Sequence, residues 1–248
     1  MKNKIGWCDM TWNPVWGCLN HCEYCYARKI SKRFYGEIYN TELPRYMYSD
    51  GQLDPTYAVI LKNKLKEFQP LFLYSQFEKQ FPEKPQRIFV GSMSEIYYWG
   101  EEWVEKVLEK VKQYTQHTFQ FLTKYPEVYT KYNFPDNCWL GVTITRECDI
   151  DESDIDYYDR LFSLECIKFL SLEPLYSSIP KDFIECFDWV IIGAETGNRK
   201  GKIIPKREWI ENIGNYCRDK NIPVYLKDSI YKIYPVWPII KEFPKNNL

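Results

Sequence analysis

At 248 residues, with 45% hydrophobic and 27% charged side chains, the chain can bury one sizeable core, and disorder is excluded. Lys and Arg total 33 against 34 Asp and Glu, so no global basic excess recruits nucleic acid, and such a partner would need a local patch. Nine cysteines in a chain this long argue against a secreted disulfide framework, and no run approaches the roughly 18 apolar residues of a membrane span. The opening residues hold no apolar stretch of signal-peptide length, so a cytoplasmic location without a membrane partner is expected.

Near the start, WGCLNHCEYCYARK (residues 16–29) places Cys18, Cys22 and Cys25 within eight positions. The Asn13-Pro14 pair and Gly17 predict a loop there, with a helix beginning near Tyr26. Arg28, Lys29, Lys32 and Arg33 follow as the best linear basic patch, whose ordinary reading is a solvated helix face. Residues 36–86 are less regular, with one helix near 57–68 and five prolines, and read as an insertion packed on the main fold.

Six short runs then read as strands buried on both faces: RIFVGSM (87–93), FQFLT (119–123), WLGVTIT (139–145), IKFLSL (167–172), WVIIGA (189–194) and IPVYL (222–226). Helical patterns separate them. Trp103, Val104, Val107, Leu108, Val111 and Tyr114 recur at helical spacing after Glu101 and Glu102. Ser153 is a predicted N-cap for the next helix, and KREWIENIGNYCRDK follows Pro205 as another. The proline-rich residues 232–248 predict an extended strap. Alternating strands and helices imply right-handed crossovers, and the expected fold is an α/β partial barrel of about six to seven parallel strands in one domain spanning 1–248.

In such a fold the polar residues just past each strand gather at one rim. Here they are Ser94 and Glu95, Lys124, Arg146 and Glu147, Glu173, Glu195, and Lys227 with Asp228. Any one of them has an ordinary explanation, because a strand leaving the core meets solvent. Glu173 before Pro174, and Glu195 close to Gly197, stand out because tight turns would hold them near the strand ends.

The C-x3-C-x2-C spacing admits three readings. A helical stripe of small apolar thiols is one. A structural zinc is another, with His21 or Cys8 completing four ligands in a non-enzymatic protein. The third is an iron–sulfur cubane held by three thiolates, with one iron left open to a small molecule.

With Tyr24 before the third cysteine, the motif resembles the defining signature of the radical S-adenosylmethionine enzymes. TWNPVWGC, FVGSMSE, HTFQFLTKYPE, WLGVTIT, SLEPL and WVIIGAETG extend the similarity, from Trp12 to about Lys227, to a phage- and prokaryote-distributed family of that type. Ser92 to Glu95 and Thr123-Lys124 are more distantly similar to spore photoproduct lyase, a DNA-repair enzyme. The resemblance implies a partial barrel with the cluster loop after its first strand. It implies a [4Fe-4S] cluster on Cys18, Cys22 and Cys25 whose open iron chelates S-adenosylmethionine. One electron from a low-potential flavodoxin- or ferredoxin-type donor would cleave the sulfonium to methionine and a 5'-deoxyadenosyl radical, which abstracts hydrogen from substrate. By the same resemblance the backbone beside Tyr24 meets the adenine, and Ser92, Ser94 and Glu95 hold the methionine ammonium. Lys124 would pair with its carboxylate by charge, and Thr143 and Thr145 would meet the ribose hydroxyls. Glu173, Glu195 and Lys227 are left to face the substrate, for which a nucleobase or nucleic acid is favoured by the lyase similarity, the Arg28–Arg33 patch and an 18% aromatic content suited to stacking.

Overall fold

The computed structural model describes residues 5–46, 55–150 and 155–245. The expected Ser153 N-cap lies outside them. The fold is α/β, with seven parallel strands in one curled half-barrel sheet. By chain contacts the molecule divides into two compact units, Asp9–Phe119 and Met1–Cys8 with Gln120–Leu248.

The first unit opens with β1 (Met10–Trp12) and a two-residue β2 (Val15–Trp16), followed by α1 (Tyr26–Glu42) and a 3-10 turn at Leu43–Tyr46. It continues through α2 (Pro55–Glu67), β3 (Leu71–Phe72), α3 (Tyr74–Phe77), β4 (Arg87–Val90) and α4 (Glu101–Lys112) to β5 (Thr118–Thr123), where the second unit takes over. Helix α1 starts at the expected Tyr26 but runs on to Glu42, well into the stretch read as irregular. The reason is packing. Ile30, Tyr35, Ile38 and Tyr39 lie against a core of Trp16, Ala27, Leu61, Leu65 and Phe68, while Gly36 faces open space and costs the helix only its intrinsic propensity. Strands β2 and β3 pair antiparallel, Val15 with Phe72 and Trp16 with Leu71. Two-residue strands carry too little period to be read from sequence.

Trp12 anchors a second aromatic cluster with Phe77, Phe81 and Phe119, at centroid separations of 6.2, 5.0 and 6.2 Å. The buried Lys110 ammonium caps it, 5.0 to 5.5 Å from the rings of Trp12, Phe77 and Phe81, and donates to the carbonyls of Phe77 and Lys79.

In the second unit α5 (Val128–Lys131), β6 (Cys138–Thr143), α6 (Ile155–Phe162), β7 (Lys168–Leu172), α7 (Lys181–Ile184), β8 (Trp189–Ile192), α8 (Arg207–Asp219), β9 (Val224–Leu226) and α9 (Asp228–Tyr231) follow in turn. The sheet order is β1-β4-β5-β6-β7-β8-β9. Each of the six strands expected from apolar runs is present; β4, β6 and β8 end two or three residues sooner than the run, where the chain turns toward the rim, while β7 and β9 begin one or two residues later. Trp189 packs with Trp7, Phe169, Tyr225 and Phe243. Residues 240–242 run antiparallel to β9: Leu226 N–H donates to Ile240 O and Glu242 N–H to Val224 O, both at 2.9 Å. The strap thus covers a sheet edge that would otherwise offer unpaired backbone. Among the described residues no helix is long and apolar enough to cross a membrane.

Candidate functional site

Cys18, Cys22 and Cys25 sit on the turn between β2 and α1, all free and all half-buried. Gly17 makes this approach possible. Its φ is +94°, and a Cβ there would lie 2.1 Å from the Gln69 carbonyl oxygen, so only glycine fits. Its N–H donates to Met93 O at 3.0 Å, and that of Cys18 to Phe68 O at 2.9 Å. Cys25 is the N-cap of α1, its Sγ accepting from the Arg28 N–H at 3.3 Å. The Cys18 Sγ accepts from the Asn20 N–H at 3.3 Å. Burial pushes the Cys18 thiol up to about 12, opposed by the Asn20 N–H and reinforced by negative charge on Glu95, Cys25 and Cys22. Cys18 is thus within electrostatic reach of Glu95 and of the other two cysteines.

The loop after β4 is fastened to this turn. Gly17 and Ser94 form a parallel bridge, and Gly91, at φ +75°, lets the chain reverse directly after β4. Asn13 Oδ1 accepts from the Ser92 hydroxyl at 3.0 Å and from the Met93 N–H at 3.2 Å, and the Tyr26 hydroxyl donates to Ser92 O at 2.8 Å. Tyr98 donates to Asn20 Oδ1 at 2.8 Å, and Trp99 Nε1–H to the Ser94 hydroxyl at 3.1 Å. Glu95 is buried and caps the short 3-10 turn at Ile96–Tyr98. The structure therefore brings together Cys18, Cys22, Cys25, Ser92, Ser94 and Glu95, with the half-buried Tyr24 in the same turn. A carboxylate buried in that position is suited to an ammonium or another hydrogen-bond donor.

The remaining candidates lie in the second unit. The register pairs Thr143 with Ser171, Ser171 with Ile191 and Ile191 with Tyr225, so the residues two positions on, Glu173, Gly193 and Lys227, continue the same face. Glu173 and Lys227 form an ion pair although a strand separates them. Gly193 permits it: a Cβ there would come within 3.0 Å of Glu173 Cγ and 3.1 Å of Lys227 Cδ. Below that pair the Ser171 hydroxyl is buried with no partner among the described residues.

Glu195, also buried, accepts from Arg199 through both carboxylate oxygens at 2.8 Å and from the Tyr176 hydroxyl at 2.6 Å. Burial, and then the adjoining Glu195 carboxylate, push the Tyr176 phenol up to about 12. Thr145 donates its hydroxyl to Asp149 Oδ2 at 2.5 Å and its N–H to the same atom at 2.8 Å. Thr143 and Lys124 are half-buried at the ends of β6 and β5. Glu173 and Lys227 are thus directly joined, whereas Glu195 and Thr145 are engaged by neighbours absent from the sequence-based set. Among the described residues no group of three or more His, Cys, Asp or Glu side chains is arranged to hold a metal ion.

The profile of a family described as "Protein of unknown function (DUF5131)" matches residues 2–232. The chain belongs to the DUF5131 family. No curated protein and no solved structure matches it. Every candidate residue above falls within the DUF5131 match.

Sequence reasoning missed Asn13, Arg28, Asp149, Tyr176, Gly193 and Arg199 as parts of these arrangements. A signal existed for Arg199, four residues after Glu195, and for Gly193, a residue without a side chain just before the rim. Tyr176 and Asn13 act through contacts that no local pattern announces. Arg28, the first member of the expected basic patch, is half-buried and donates to the carbonyls of Cys18, Asn20 and Glu67. Lys29, Lys32 and Arg33 remain exposed.

Proposed function

We propose that this DUF5131 protein is a radical S-adenosylmethionine enzyme, with Cys18, Cys22 and Cys25 as ligands of a [4Fe-4S] cluster. The observation carrying this reading is the fastening of a three-thiol turn to the Ser92–Glu95 loop through the Gly17–Ser94 bridge, with the buried Glu95 carboxylate within electrostatic reach of Cys18. The donor type suits the group, and the three sulfurs would draw together on binding it. All three thiols are free, and backbone N–H groups point at two of the sulfurs, an interaction that tunes such clusters. Held by Cys18, Cys22 and Cys25, such a cluster would supply one-electron reduction, fed by a flavodoxin- or ferredoxin-type donor, for cleavage of S-adenosylmethionine and hydrogen abstraction from substrate.

The chain's own residues orient and exclude. Glu95 accepts the methionine ammonium, with Ser92 and Ser94 shaping its surroundings, and Tyr24 offers its backbone to the adenine. Lys124 offers a charge to the carboxylate, and Thr143 and Thr145 offer hydroxyls to the ribose. Lys227 and Glu173 present a donor beside an acceptor to the substrate. Glu195, fully bonded, acts by holding Tyr176 and Arg199 in place. The substrate class we favour is a nucleobase or nucleic acid, supported by the donor–acceptor pair and by exposed Lys29, Lys32 and Arg33.

Anaerobic reconstitution with iron and sulfide, reduction, and addition of S-adenosylmethionine should yield a brown protein that releases 5'-deoxyadenosine. Cys22→Ala should abolish the release. A colourless protein carrying zinc, or a cluster with four protein ligands, overturns the reading.

A further inference from the structure

Arg28 stands where three structural elements meet. Its Nη2 donates to Cys18 O at 2.8 Å and to Asn20 O at 3.3 Å, and its Nη1 to Glu67 O at 3.1 Å. Glu67 is the last residue of α2, whose terminal carbonyls have no partner within the helix and carry the negative end of its dipole. The guanidinium also lies over the Phe68 ring, 5.2 Å from the centroid. Phe68 adopts a left-handed conformation, φ 58°, just past α2, and its carbonyl receives the Cys18 N–H. One side chain in the first turn of α1 therefore binds both the cysteine turn and the end of the helix on which that turn rests.

We propose that Arg28 is a positioning residue that keeps the three-cysteine turn in one fixed shape without any cofactor. Many small metal sites form only as the metal binds, because nothing else orders their ligands. Here the ordering contacts are made by the polypeptide. The fork geometry matters. Carbonyls that belong to two separate segments and point in different directions can be reached by a planar group with five donors, while a lysine ammonium on a flexible stem satisfies one or two of them. That the prepared shape serves an iron–sulfur cluster rests on the proposed function; that Arg28 maintains it does not.

Hydrogen exchange on metal-free protein separates the two. In the wild type, peptides covering residues 16–25 should be protected although no metal is present. In Arg28→Lys and Arg28→Gln that protection should fall on the order of tenfold or more, the scale of a lost hydrogen bond to a charged group, while α4 peptides keep theirs. Full exchange of residues 16–25 in the wild type overturns the proposal, and so does unchanged protection in both variants. Equal loss in α4 also overturns it, because Arg28 would then be a residue of global stability. Addition of iron and sulfide to the wild type tests the cofactor reading alone: failure to take them up leaves the exchange result standing.

Discussion

The two units prepare their polar groups in opposite ways. In Asp9–Phe119 the fastening is done largely through the main chain. Gly17, Cys18 and Met93 use backbone N–H groups, Arg28 reads carbonyls, and the sulfurs of Cys18 and Cys25 accept backbone N–H groups. In the second unit side chain meets side chain: Glu173 with Lys227, Glu195 with Arg199 and Tyr176, Thr145 with Asp149. The difference follows from the chemistry available. A thiol sulfur is a weak acceptor that needs no charged partner, so backbone N–H groups in a tight turn suffice to order it. Charged groups half or fully out of water cannot stay uncommitted, because an unpaired buried charge is costly.

This contrast can be broken by substitution, and Gly17→Ala should have the largest effect. It combines a positive φ with overlap of the Gln69 carbonyl, and a loss on the order of 3 kcal/mol is expected by urea titration, with the cysteine turn displaced. A near-neutral result would mean that the turn is not set by its main chain. Next comes Tyr176→Phe, which removes one donor from the buried Glu195; about 1.5–3 kcal/mol should be lost, with no change in hydrogen exchange at residues 16–25. Gly193→Ala should cost about 1–3 kcal/mol by crowding the Glu173–Lys227 pair. A crystal structure of that variant with the pair intact would show the gap to be unnecessary.

The smallest effect concerns pH. His117 is buried among Phe81, Tyr114 and Phe119, and its Nδ1 accepts the Gln86 N–H at 3.1 Å. Burial lowers its proton affinity below the ordinary value of 6.5. The unfolded chain therefore binds the proton more readily, and stability should decline as pH falls from 6.5 toward the folded-state value. His117→Gln should flatten that slope in urea titrations repeated across this pH range.

Apolar runs bounded by turn residues sufficed to place six strands, and a loop broken by Asn13-Pro14 and Gly17 sufficed to start α1 at Tyr26. Those are local matters: burial on both faces demands continuous apolarity, and a helix cannot continue back through Pro14. The rim residues were likewise visible as the first polar positions past each strand. Their pairings were not, because Lys227 reaches Glu173 over 54 residues and Tyr176 reaches Glu195 over 19.

Sequence by itself determined the alternation of strand and helix and the presence of three close thiols, since each is written in neighbouring residues. Only the tertiary structure decided that the cysteine turn is fastened to the Ser92–Glu95 loop, that Glu195 is committed to Arg199 and Tyr176, and that Arg28 serves backbone carbonyls. Hydrogen bonds and ion pairs act over about 3 Å in space, whatever the distance along the chain.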